Sequence, residues 1–343
     1  MKKISILLVS VVVLSLSGFR SRPDPEVQVL TSGTNTSLRG LSVVNDNIVW
    51  VSGSNGMVGR SSNAGKNWKW ITVKGFEKKE FRDIEAFDAS TAIIMAVDTP
   101  AVILKTTDGG ETWKTVYENK APGMFLDAMH FVDQNTGIVI GDPINKKVFI
   151  AATQNSGDSW QEWEENQRPV ADSGEAFFAA SGTNIRLFEK NKYFMVSGGT
   201  RSRLFTTNNV IDIPIIQGKE TTGANSVAVF DEGKLKGSKR IVIVGGDFMT
   251  PADSKQNCYY TTDGGKSWNA PSTPPHGYRS CVEYLSKTDL VSCGLNGVDY
   301  SYNGGKTWKW ISKESFHVVR IAKMGTTIFL AGNKGQIGKL ILD

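Results

Sequence analysis

Three cysteines and three histidines are all that this 343-residue chain offers as thiol and imidazole groups. Cys258, Cys281 and Cys293 have no CxxC spacing, and His130, His276 and His317 stand far apart, so neither a metal site nor a Cys–His nucleophile is expected. Long apolar runs are also scarce. The longest, Ile4–Leu16, falls short of the roughly 20 residues that span a bilayer. Charge of one sign is not in excess either. The net charge is +5, or +3 without Lys2 and Lys3, and no basic run is interleaved with aromatics, so nucleic acid is not an expected partner. No GxSxG elbow is present. The glycines of "GNKGQIG" (Gly332–Gly338) miss the GxGxxG pattern and precede no helix, which argues against a dinucleotide and an oxidoreductase. No cofactor is expected.

What the N-terminus does contain is a charged start, Lys2 and Lys3, then the apolar run, then Ser15 and Ser17 at the spacing of a cleavage site. Residues 1–17 are expected to be a signal peptide and 18–343 one soluble, exported domain, periplasmic or extracellular. Phe19 stands where a lipoprotein would carry its lipidated cysteine, and a retained N-terminal anchor is the alternative. Cys281 and Cys293 fall where one hairpin would face them, leaving a disulfide or two buried thiols as the alternatives.

Glycine and tryptophan are plentiful, at 35 and 9 residues, and they recur together. "TTDGGETW" (Thr106–Trp113), "TQNSGDSW" (Thr153–Trp160), "TTDGGKSW" (Thr261–Trp268) and "SYNGGKTW" (Ser301–Trp308) share one pattern, with a weaker copy in "SSNAGKNW" (Ser61–Trp68). The tryptophans are spaced by 45, 47, 108 and 40 residues, the long gap being two periods whose missing marker falls near "LFTTNNVID" (Leu204–Asp212). Periods of 40 to 50 containing several short strands predict a β-propeller. First strands are expected at 38–44, 81–87, 125–131, 175–181, 224–230, 278–284 and 317–322, giving seven blades of four strands. The last blade has only three strands of its own, so "EVQVL" (Glu26–Leu30) is expected to complete it and close the ring.

A catalytic turn is normally needed once, and these turns recur. Asn63, Asn155 and Asn303 stand where Asp108 and Asp263 stand in the other copies, and Asn cannot replace a general acid or base. The side chain is therefore expected to bind backbone N–H groups within its own turn. A glycine takes the left-handed position, and Trp68, Trp113, Trp160, Trp268 and Trp308 start the outer strands as buried apolar mass.

These turns match the Asp-box, or bacterial neuraminidase repeat, found in sialidases, sortilin-like receptors and photosystem II stability/assembly factors. The blade count and the short first strands resemble the last family most. "FRDIEAF", "FLDAMHF", "GEAFFAASGTNI", "GDFMTPAD" and "GYRSC" resemble a bacterial exported branch of it, some of whose members carry an oxidoreductase label. The resemblance implies a propeller acting as an assembly or binding factor on a protein partner, such as a membrane-protein subunit or a surface protein.

Propeller topology puts the Asp-boxes on one face and the starts of the first strands on the other. Arg39, Arg82 and Arg279 share that start position in blades one, two and six, with Glu175 in blade four. Asp98, Asp142 and Asp247 end second strands, and Arg201 and Arg203 fall in the matching loop of blade four. Two readings stand. The arginines bind a carboxylate or acidic segment of a partner, or they pair with the three aspartates around the channel mouth. The expected function is non-catalytic partner capture by a monomer on the face opposite the Asp-boxes. A sialidase-like glycoside hydrolase or glycan binder is the alternative, with Tyr278 and Glu175 as its nucleophile pair, although no Phe/Tyr-Arg-Ile-Pro segment accompanies the arginines.

Overall fold

In the second strand of blade two, "AIIMA" (Ala92–Ala96), every side chain is buried. Alternate residues of a strand point to opposite faces, so both faces of this sheet must be covered. Ile94 packs with Trp50 and Val58 of blade one, while Ile93 and Met95 pack with Leu126 and Phe149 of blade three. The same arrangement continues around the molecule. Ile150 meets Met195 and Phe205, Leu204 meets Ile243, Val242 meets Leu290, and blades six, seven and one share one cluster. The core is thus a series of layers between neighbouring blades.

This is a computed structural model, and it describes residues 23–31, 34–189, 192–230 and 239–342. The expected signal, residues 1–17, lies outside the described residues. Among the described residues the strands form seven antiparallel sheets. The innermost strands are Leu38–Val43, Phe81–Ala86, Leu126–Phe131, Ile185–Glu189, Thr222–Phe230, Cys281–Tyr284 and Val318–Ile321. Glu26–Thr31 pairs antiparallel with Ile337–Ile341 and is the outer strand of blade seven, as its sequence predicts. In blade five the outer strand shrinks to a single bridge between Tyr260 and Asn269. Cys281 and Cys293 are free thiols, as is Cys258.

One expected strand is corrected. Residues 175–181 do not open blade four, whose inner strand is Ile185–Glu189. Glu175–Ala176 instead adds to the edge of blade five through Gly198–Gly199. The residues that follow enter the axial channel. The Ala180 carbonyl accepts from Arg39 of blade one, the Ser181 hydroxyl donates to the Ser280 carbonyl of blade six, and the Thr183 hydroxyl donates to Ser226 of blade five. Arg320 of blade seven donates to the carbonyls of Ser181 and Gly182. A segment held by so many blades can lie only on the axis, where it forms a plug. Ala179, Ala180, Ser181 and Gly182 are small enough to fit, and the arginines and hydroxyls satisfy backbone groups that no strand partner reaches.

The five Asp-boxes share one geometry. In blade two the Thr112 N–H donates to Asp108 Oδ1 at 3.0 Å, the Thr112 hydroxyl donates to Asp108 Oδ2 at 2.6 Å, and the Gly110 N–H donates to Thr106 Oγ1 at 3.0 Å. Asn63, Asn155, Asp263 and Asn303 accept the equivalent N–H bond at 2.9–3.1 Å. Gly110 has φ of +87°, which favours glycine. Trp68, Trp113 and Trp308 donate their indole N–H back to the turn. In blade four, where glycines and Trp are missing, the Thr206 hydroxyl still holds the turn by accepting from the Asn209 N–H.

Candidate functional site

Four inner strands begin with the same irregularity. The register shifts by one residue between Leu38 and Gly40, Phe81 and Asp83, Leu126 and Ala128, and Ala224 and Ser226. Such a bulge re-aims the extra side chain. Those residues are Arg39, Arg82, Asp127 and Asn225. The repeat extends the position to Asn184, Arg279 and His317, so each blade carries one polar residue at this place in the repeat, of which Arg39, Arg82, Asn225 and His317 line the mouth opposite the Asp-boxes. The repeat exposes only the arginines of this set; Asp127, Asn184, Asn225 and His317 share the same place in the repeat in different chemistry.

Above the plug this mouth opens into a cavity of about 430 Å³. Arg39 and Arg82 line one side, with His317 and Asn225. The rest of the lining is largely aromatic and apolar, with Phe125, Phe177, Phe178, Phe248, Tyr278 and Leu295, and includes Asp142. Phe248 meets both Phe178 and Tyr278 edge-on, and Tyr278 donates its hydroxyl to Asn225 Oδ1 at 2.8 Å. Arg39 is desolvated and next to Arg82, and both effects lower its pKa. The buried Nε of Arg82 has no hydrogen-bond partner among the described residues, and its one carboxylate contact, Glu80, lies 3.8 Å away.

The acidic side of the mouth is unusual. Asp142 accepts from the Phe177 N–H at 2.9 Å, and burial raises its pKa. Asp127 is wholly buried. Burial, and then the neighbouring Asp142, push its carboxyl far above the usual range. The Ala179 N–H approaches it without forming a well-aligned bond. Burial thus shifts both groups toward the neutral acid, Asp127 far more strongly, and Asp142 shares the lining of the cavity with the two arginines.

The other expected residues are placed elsewhere. Arg279 is wholly buried and turned into blade six, donating to Asp299 at 2.6 Å, Asn296 at 2.6 Å and the Tyr278 carbonyl at 2.8 Å. It is not part of the mouth. Glu175 does not start a strand of blade four; it sits before the plug, bound by Arg203 and the Ser197 hydroxyl. Arg201 pairs with Asp172 and, through two bonds of 2.9 Å, with Asp212. Asp98 pairs with Lys79, and Asp247 accepts from the Met249 N–H. The reading in which Arg39, Arg82 and Arg279 pair with Asp98, Asp142 and Asp247 is not met: Arg39 donates to the Ala180 carbonyl, Arg82 lies near Glu80, and Arg279 binds Asp299. Tyr278 and Glu175 bind different groups and form no nucleophile pair.

On the Asp-box side of the plug the channel opens again, into a cavity of about 610 Å³. Its charges largely neutralise one another. Arg186 and Arg320 pair with Glu283, and Lys323 pairs with Glu85. Asp83, buried at the floor, accepts from the N–H groups of Ile84 and Met129.

Similar folds are found among solved structures. YCF48 bound to D1 peptide is 16% identical with a TM-score of 0.65, covering 93% of this chain and 95% of that one. YCF48 from Cyanidioschyzon merolae is 15% identical with the same TM-score, covering 92% and 98%. The WD40 propeller domain of Doa1 is 15% identical with a TM-score of 0.60, covering 93% and 98%. At such identities the likeness concerns the fold. No curated protein matches the sequence. The BNR/Asp-box repeat matches residues 259–270. The description of photosynthesis system II assembly factor YCF48 matches residues 24–210, more than half of the chain, and the chain belongs to that family.

Proposed function

We propose that this propeller is an assembly factor that holds an extended segment of a protein partner at the mouth opposite its Asp-boxes. The observation that carries the reading is the cavity in which Arg39 and Arg82 stand beside a wall of four phenylalanines. Arginine forks bind carboxylates bidentately, and aromatic walls accept apolar side chains, so the complementary segment carries an acidic group next to aromatic or branched residues. Support comes from the related propeller solved with a D1 peptide. The charged and apolar start of the sequence supports export, which would put the partner in the cell envelope.

The test is capture from a detergent-solubilised envelope fraction, comparing the wild-type chain with Arg39→Glu/Arg82→Glu and with Lys66→Glu on an Asp-box. The double variant should lose capture at least tenfold while its circular dichroism is unchanged, and Lys66→Glu should behave as wild type. Capture should also weaken with added salt. Equal capture by the folded double variant would refute the site.

A further inference from the structure

Cys281 begins the inner strand of blade six, and Cys293 lies directly opposite it on the second strand. Directly opposed residues of antiparallel strands project from the same face, with Cα atoms about 4.5–5.5 Å apart. A disulfide spans roughly 4.4–6.8 Å between Cα atoms. Both thiols are wholly buried, in the cluster that blade six shares with Phe316, Val318 and Val319 of blade seven. They are hydrogen-bonded to each other, and Cys281 Sγ also accepts from the Val319 N–H at 3.4 Å. Arg320 Nη1 lies 3.8 Å from the same sulfur. In the folded, reduced chain burial raises the Cys281 pKa, while the Cys293 thiol and the Arg320 cation outweigh it and lower it; the Arg320 contribution arises only once blade seven has docked. Cys258 lies apart, with Trp308.

We propose that Cys281 and Cys293 close into an intrachain disulfide when the chain folds in contact with a small or protein disulfide as oxidant. The Cys281 thiolate attacks the oxidant's disulfide and expels one thiolate. Cys293, losing its proton, then attacks the mixed disulfide at Cys281 and expels the second. Two protein thiols are oxidised, and one external disulfide is reduced to two thiols. The cysteines are separated by a single hairpin, so they meet as soon as that hairpin forms. Blade seven follows in the sequence and seals them from solvent when it docks. Closure therefore precedes docking.

The test refolds the full chain from denaturant with oxidised glutathione, alkylates it in denaturant, and reads intact mass and a non-reduced peptide map. The expected product has lost two hydrogens, carries one alkyl group, on Cys258, and yields a linked Cys281–Cys293 peptide. Refolding with reduced glutathione alone should give three alkyl groups. Three alkyl groups after oxidised refolding, a persistent glutathione adduct, or a link through Cys258 would overturn the proposal. Adding oxidised glutathione to already folded, reduced protein should close the pair at least tenfold more slowly than refolding does. Equal rates would overturn the order of closure and docking.

Discussion

Arg279 and Asp108 show how differently two charged side chains of this propeller are used. Arg279 is sealed inside blade six with Asp299. Truncating one member of such a pair leaves the other charge buried without compensation, at a cost of about 3–5 kcal/mol. Arg279→Ala should therefore lower stability by about that much in urea unfolding, whereas an exposed charge would hardly register. Asp108 works at the surface. The Thr112 hydroxyl and N–H, with the Thr106 hydroxyl, hold its carboxyl down at about 2, below the usual 3.8. A depressed value means that the folded state favours the anion, so the stabilisation is present above pH 4 and fades as pH falls toward 2. In the Asn boxes the bond to the hydroxyl runs the other way: Asn155 Nδ2 donates to Ser159 Oγ and Asn303 Nδ2 to Thr307 Oγ1. Asp108→Asn should therefore fold normally. Its melting midpoint should be lower than wild type at neutral pH, with the difference vanishing in acid; a difference independent of pH would contradict the assignment.

At the scale of elements, the plug separates what the sequence discloses from what it conceals. The Asp-boxes are legible because their bonds lie within a few residues of one another, and the second strands because burial on both faces leaves a continuous apolar run. "EAFFAAS" also looks like a strand, since its apolar residues and its place in the repeat are right. What puts this stretch on the axis is a set of partners from distant blades, Arg39, Ser280 and Arg320 among them, which no local pattern announces. Arg279 deceived for a similar reason: its repeat position matches that of Arg39 and Arg82, but its partner Asp299 stands on the third strand of blade six and draws it inward. The plug itself allows little change. Gly182 has φ of +64°, and a Cβ there would come within 2.3 Å of an Asp83 carboxylate oxygen. Burial raises that carboxyl to about 7, with Arg320 and two backbone N–H groups pulling the other way. Gly182→Val should destabilise by about 1–3 kcal/mol through overpacking, measured as a lower urea midpoint, and a neutral result would mean that the segment is loosely held.

At the scale of the molecule, the ring depends on a pairing between its first and last strands. Val27 and Leu30 pack against the shared cluster of blades six, seven and one. Removing the chain through Thr31 would strip that cover and expose the edge of Ile337–Ile341. The truncated protein should lose at least about 2 kcal/mol and associate through the open edge, which light scattering would detect; a stable monomer would show that three strands suffice for blade seven.

The same pairing has a temporal side. Glu26 meets Ile341, so the first described strand is held by the last. While the blades form in order, Glu26–Thr31 has no sheet to join until Ile337–Ile341 has been made. A nascent chain halted before that strand is an open arc, and only its arrival lets the arc become a disc.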